Sequence, residues 1–148
     1  MAIEGSASIE INAPIDRVYA IAADVEGSPR WQPEIKTAVP IEHGPNGEQT
    51  YVKTTVDSKV KTMQSDLRFS YDAPTGLSWR QEEGDLKEVR GSWEFVDLGD
   101  GRTKATYNLY VDLGRKLGMV IRGPLVDLMR KQLCDTMPGK LKGFVEAE

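Results

Sequence analysis

The sequence predicts an α+β fold: a curved, seven-stranded antiparallel sheet with one long C-terminal helix laid across it. Three observations predict it. A short helical pattern sits near the start, at Pro14 to Asp24. Alternating strand patterns fill the middle, from about Ile35 to Leu113. An apolar-striped segment closes the chain, from about Ile121 to Phe144. A sheet that long must bury one face, and only the terminal segment is long enough to cover it. That arrangement is expected to leave a cavity between sheet and helix, suited to something small and apolar.

Each element has its own signal. The first strand is Ser6 to Asn12, where Ala7, Ile9 and Ile11 alternate with Ser8, Glu10 and Asn12. Asn12 suits a helix cap and Pro14 a first helical turn. Ile15, Val18, Tyr19 and Ala22 then share one helical face. Gly27-Ser28-Pro29 ends or redirects that helix, and Arg30 to Pro33 form a short turn. Strand two runs from about Ile35 to Glu42, with Ile35, Thr37, Val39 and Ile41 on one side. A turn at His43 to Gly47 leads to strand three, Gln49 to Val56. Strand four spans about Val60 to Tyr71, with Met63, Ser65, Leu67, Phe69 and Tyr71 on the buried side. Pro74-Thr75-Gly76 turns the chain into strand five, Leu77 to Glu82. After Gly84-Asp85 comes strand six, Lys87 to Leu98, then a hairpin turn at Gly99-Asp100-Gly101. Strand seven is Thr103 to Leu113. Gly114 to Gly123 reads as a glycine-rich passage. The closing stripe is Leu125, Leu128, Met129, Leu133, Met137, Leu141 and Phe144. Pro138-Gly139 interrupts it, and a kink is expected there.

Composition bounds the partners. A chain of 148 residues fits one domain, 1–148, with a real core. The net charge of −4 argues against a nucleic-acid partner, which needs a basic face. The single cysteine, Cys134, forbids an internal disulfide and suits a reducing cytoplasm. It reads as a quiet, partly buried thiol. The single histidine, His43, stands in a turn, which excludes a His-rich metal site and leaves no cofactor expected. No basic-then-apolar leader opens the chain, and no apolar run approaches the roughly 18 residues of a spanning helix. A cytoplasmic protein is expected.

The pattern resembles a known superfamily. The residues that carry the likeness are Ser8 to Tyr19, Asp24-Val25 and Pro29-Arg30-Trp31. A second block is Leu77-Ser78-Trp79, Gly84 to Lys87, Gly91 to Phe95 and Gly101-Arg102-Thr103. Together they resemble the helix-grip fold of START-like (SRPBCC, Bet v 1-like) proteins. They look like the bacterial polyketide cyclase/dehydrase and lipid-transport (Coq10-like) branch. The resemblance implies two short helices between the first two strands and a six-stranded meander. It is specific for fold and weak for activity, since one scaffold hosts many functions.

If the odd faces of strands four to seven point inward, the wall holds Met63, Leu67, Phe69, Trp79, Val89, Trp93, Phe95, Tyr107 and Leu109. Met129, Leu133 and Met137 face it from the helix. Ser65, Gln81, Tyr107 and Tyr51 are the expected polar groups, and Trp31 closes one end. The same side chains also suit an ordinary filled core. Three functions follow. One is binding or transport of a hydrophobic lipid, quinone or polyketide-like molecule, by a monomer or homodimer. The second is a polyketide cyclase or dehydratase. Proton transfer there would fall to Tyr107, Gln81 and Glu83, because Arg68, Arg80, Arg90, Glu82 and Glu88 point outward. The third is an interaction module with a packed interior. Arg115, Lys116 and Arg122 suit transient contact with an anionic head group or membrane surface, without stable insertion.

Overall fold

The computed structural model describes residues 2–58 and 61–147. The chain opens with β1 (Ala2–Ile11), α1 (Ile15–Ala23) and a 3-10 helix (Val25–Arg30). Six strands follow: β2 (Ile35–His43), β3 (Gln49–Asp57), β4 (Thr62–Asp72), β5 (Gly76–Gly84), β6 (Glu88–Gly99) and β7 (Arg102–Asp112). Three further segments close it: α2 (Gly114–Val120), α3 (Pro124–Arg130) and α4 (Met137–Ala147), with a π-helical turn at Lys131–Asp135 between the last two. The sheet is antiparallel in the order β1-β7-β6-β5-β4-β3-β2. The meander and the two short helices expected after the first strand are both present. The expected start of strand four at Val60 lies outside the described residues.

Period-two alternation explains most of the sheet. Val89, Trp93 and Phe95 in β6 are buried, as are Thr103, Ala105, Tyr107, Leu109 and Val111 in β7. Strand β2 departs from its pattern. Register shifts fall between Ile35 and Thr37 and again between Pro40 and Glu42. A bulge moves every later side chain to the other face. Ile35 therefore packs on the core, while Val39 and Ile41 are 52% and 49% exposed.

The C-terminal rod departs from its pattern too. The interruption is a π-helical turn just ahead of Pro138, in which the Thr136 amide donates to the Lys131 carbonyl at 3.2 Å. Pro138 falls in the first turn of α4, where a missing N–H is tolerated. A π-turn sets buried positions five apart rather than three or four. The buried stripe is consequently Val126, Met129, Cys134, Met137, Leu141 and Val145. Leu125 and Leu128, expected inside, are exposed. Phe144 is half-buried beneath the Arg30 guanidinium, 5.3 Å from its ring centre. The glycine-rich passage is helical over α2.

Candidate functional site: a cavity between sheet and rod

A hollow of about 130 Å³ lies between the inner face of the sheet and the rod. Its wall is built from rings in contact. Trp93 stands 4.7 Å from Tyr107, Trp79 stands 5.6 Å from Tyr107, and Phe69 stands 5.7 Å from Trp79. Such tilted contacts suit aromatic quadrupoles. Gly91 makes room for this arrangement. A Cβ there would sit 2.5 Å from the Trp79 indole, which crosses the strand at that point. Leu133 and Met137 supply the opposite wall from the rod, and Ala22, Val25 and Ser28 come from the short helices.

Eleven of the side chains expected at the site line this hollow: Met63, Ser65, Leu67, Phe69, Trp79, Val89, Trp93, Tyr107, Leu109, Leu133 and Met137. Four do not. Tyr51 is corrected to the outer face, where the Arg68 guanidinium lies 4.5 Å over its ring. Strand β3 turns Val52, Thr54 and Val56 inward instead. Trp31 is buried behind Trp93, 6.3 Å away, and its indole nitrogen has no hydrogen-bond partner among the described residues. Met129 is wholly buried in the packed core. Gln81 braces its neighbours: its amide nitrogen donates to the Leu86 carbonyl at 2.7 Å, and its oxygen bonds the Ser65 hydroxyl at 2.8 Å. Glu83, beside it, is exposed.

Sequence reasoning misses one charged pair. Glu34, in the turn before β2, lines the hollow and pairs with Lys140 Nζ of α4. Lys140 also donates to the Gln132 carbonyl at 3.1 Å. No local signal marks Glu34, because a charge beside Pro33 reads as a solvated turn and its partner is 106 residues away.

The electrostatics separate inside from outside. Burial, then the Cys134 and Glu34 charges, hold the Tyr107 hydroxyl well above the usual phenol range. Tyr107 therefore stays protonated and can donate. Burial pushes the Cys134 thiol up to about 11, which keeps it unreactive. Arg68 and Arg90 stand on the outer face of the sheet. Arg68 bridges Glu42 at 2.9 Å and Glu82 at 3.1 Å, and Arg90 pairs with Glu88 at 2.9 Å beside the Tyr110 ring. No group of three or more His, Cys, Asp or Glu able to hold a metal comes together among the described residues.

With this geometry in place, the likeness to known proteins takes on meaning. The family model described as polyketide cyclase / dehydrase and lipid transport matches residues 2–143. A START superfamily protein from Mycobacterium smegmatis superposes with a TM-score of 0.84 at 21% identity, covering 97% of each chain. A protein from Thermus thermophilus does so at 0.82 and 22%, again over 97% of each chain. An aromatase/cyclase from a Streptomyces species gives 0.75 and 19%, over 99% of this chain and 94% of the other. At such identities the solved structures speak for the fold alone. No curated protein sequence matches significantly.

Proposed function

Because the chain belongs to the polyketide cyclase / dehydrase and lipid transport family, we propose that it binds a hydrophobic small molecule in the cavity between sheet and rod. The observation that carries this reading is the hollow itself. Its wall is mostly apolar, with Met63, Leu67, Phe69, Trp79 and Leu109 among the lining side chains, so a guest that covers them removes apolar surface from water. An engineered apolar hole of about 150 Å³ takes benzene, so the space holds one ring, or the ring end of a longer lipid, quinone or polyketide.

Trp79 and Trp93 line the cavity and Trp31 lies behind it, so indole emission reports on a guest. Titration with single-ring and longer apolar ligands should give a saturable change in tryptophan fluorescence. It should also raise the melting temperature. A panel with no saturable response and no thermal shift removes the binding role. A cyclase or dehydratase would use the same cavity, with Glu34 and the protonated Tyr107 hydroxyl as its buried polar groups.

The same proposal includes transient contact with an anionic membrane. No helix among the described residues is long and apolar enough to cross one. Yet Met119 and Val120 at the end of α2 are 65% and 70% exposed, and Arg115, Lys116 and Arg122 stand beside them in sequence. Exposed apolar side chains flanked by cations suit an anionic lipid surface. Arg115→Glu/Lys116→Glu should weaken co-sedimentation with phosphatidylserine vesicles by at least about tenfold. Equal binding by the variant, or none by the wild type, removes the contact.

A further inference from the structure

The turn that leads into β2 holds a carboxylate with half of its bonding capacity unused. Glu34 lines the cavity, and only 4% of its side chain is exposed. Its Oε1 accepts from Lys140 Nζ. Its Oε2 is buried and has no hydrogen-bond partner among the described residues. Buried acceptors without partners are rare because desolvation is uncompensated, and more so when the acceptor is charged.

The carboxylate is firmly held. The Glu34 carbonyl accepts the Asp57 amide at 2.7 Å, which ties the turn to β3. Lys140 fixes the other end from α4. Three other polar groups in the wall are already engaged, while the Tyr107 hydroxyl also lines it. The Thr54 hydroxyl donates to the Ser65 carbonyl at 2.6 Å, the Ser65 hydroxyl bonds Gln81, and the Ser28 hydroxyl donates to the Val25 carbonyl. Glu34 Oε2 is thus an open acceptor in an apolar wall.

We propose that Glu34 Oε2 anchors the guest, accepting a hydrogen bond from a hydroxyl or N–H carried by a ring-sized apolar molecule. The cavity correspondingly rejects a guest whose polar end is a carboxylate. Lys140 cannot serve such an anion, because its ammonium is held by Glu34 and the Gln132 carbonyl. Two like charges in an apolar wall repel with little screening. The proposal rests on the reading that the cavity takes an apolar guest, and it adds the chemistry of that guest.

The test is calorimetric titration of wild type and Glu34→Gln with four probes of similar size. These are 4-methylphenol, toluene, benzaldehyde and 4-methylbenzoate. The wild type should bind 4-methylphenol at least about tenfold more tightly than toluene, as expected for a hydrogen bond to a charged acceptor, and 4-methylbenzoate most weakly. In Glu34→Gln, Lys140 keeps the amide oxygen and the NH2 group faces the cavity, a donor where an acceptor stood. The advantage of 4-methylphenol over toluene should then fall several-fold, and benzaldehyde, which only accepts, should gain relative to toluene. Equal wild-type affinity for 4-methylphenol and toluene, or tightest binding of 4-methylbenzoate, overturns the anchor and leaves the cavity reading intact. Binding of none of the four overturns both. Should Glu34→Gln fail to fold, the wild-type ranking alone decides.

Discussion

Trp93→Ala is expected to lower the unfolding free energy by about 3–5 kcal/mol, the range for deleting a buried large aromatic. Trp93 is 3% exposed. It stands 4.7 Å from Tyr107, 5.8 Å from Phe95 and 6.3 Å from Trp31, so one ring joins strand β7, its own strand and the turn before β2. The upper part of the range applies for a physical reason. A deleted core side chain is partly replaced when its neighbours collapse into the gap. Here the gap opens onto an existing hollow, and Trp79 and Phe69, paired side by side on β5 and β4, already lean on one another. In a chain of this size the loss corresponds to a melting temperature lower by roughly 10 °C. Urea denaturation is the direct measurement. A loss below about 1 kcal/mol would show that Trp93 does not hold the wall together.

Lys140→Met is expected to destabilise by about 3 kcal/mol. Removing one partner of a buried pair leaves the other charge uncompensated, at about 3–5 kcal/mol when the pair is fully buried. Lys140 keeps 20% of its side chain exposed, so water relieves part of that loss and the lower end applies. The double variant Glu34→Gln/Lys140→Met should recover most of the stability, because a buried ion pair and its neutral replacement are often close in energy. Denaturation of both variants decides the matter. A double variant no more stable than Lys140→Met would mean that the loss comes from packing of the lysine stem.

Legibility in the sequence follows the strength of alternation. Val89, Trp93 and Phe95, then Tyr107 and Leu109, alternate cleanly with polar residues, and their inward face can be read directly. Strand β3 alternates Tyr51, Lys53 and Thr55 with Val52, Thr54 and Val56. Both sets mix apolar and polar character, so the pattern does not decide the face of Tyr51. In β2 the pattern is sound but the bulge after Ile35 reverses its meaning. In the rod, even helical spacing picks Leu125 and Leu128. The π-helical turn and the α3 packing select Val126, Cys134 and Val145 instead. Glu34 is out of reach because its role depends on a partner distant in sequence. A charged pair of that kind leaves no period to detect.

The wide turn at Lys131–Asp135 has a consequence for the carboxylate it never touches. In a regular helix the Thr136 amide would take the oxygen of Gln132. Here that amide reaches past it to Lys131, and the bypassed oxygen becomes the second ligand of the Lys140 ammonium. One surplus residue in the rod thus supplies a seat for a cation. Trimming that residue would straighten the rod and return Met137, Leu141 and Val145 to ordinary helical spacing from Met129, yet it would unseat the charge that steadies Glu34.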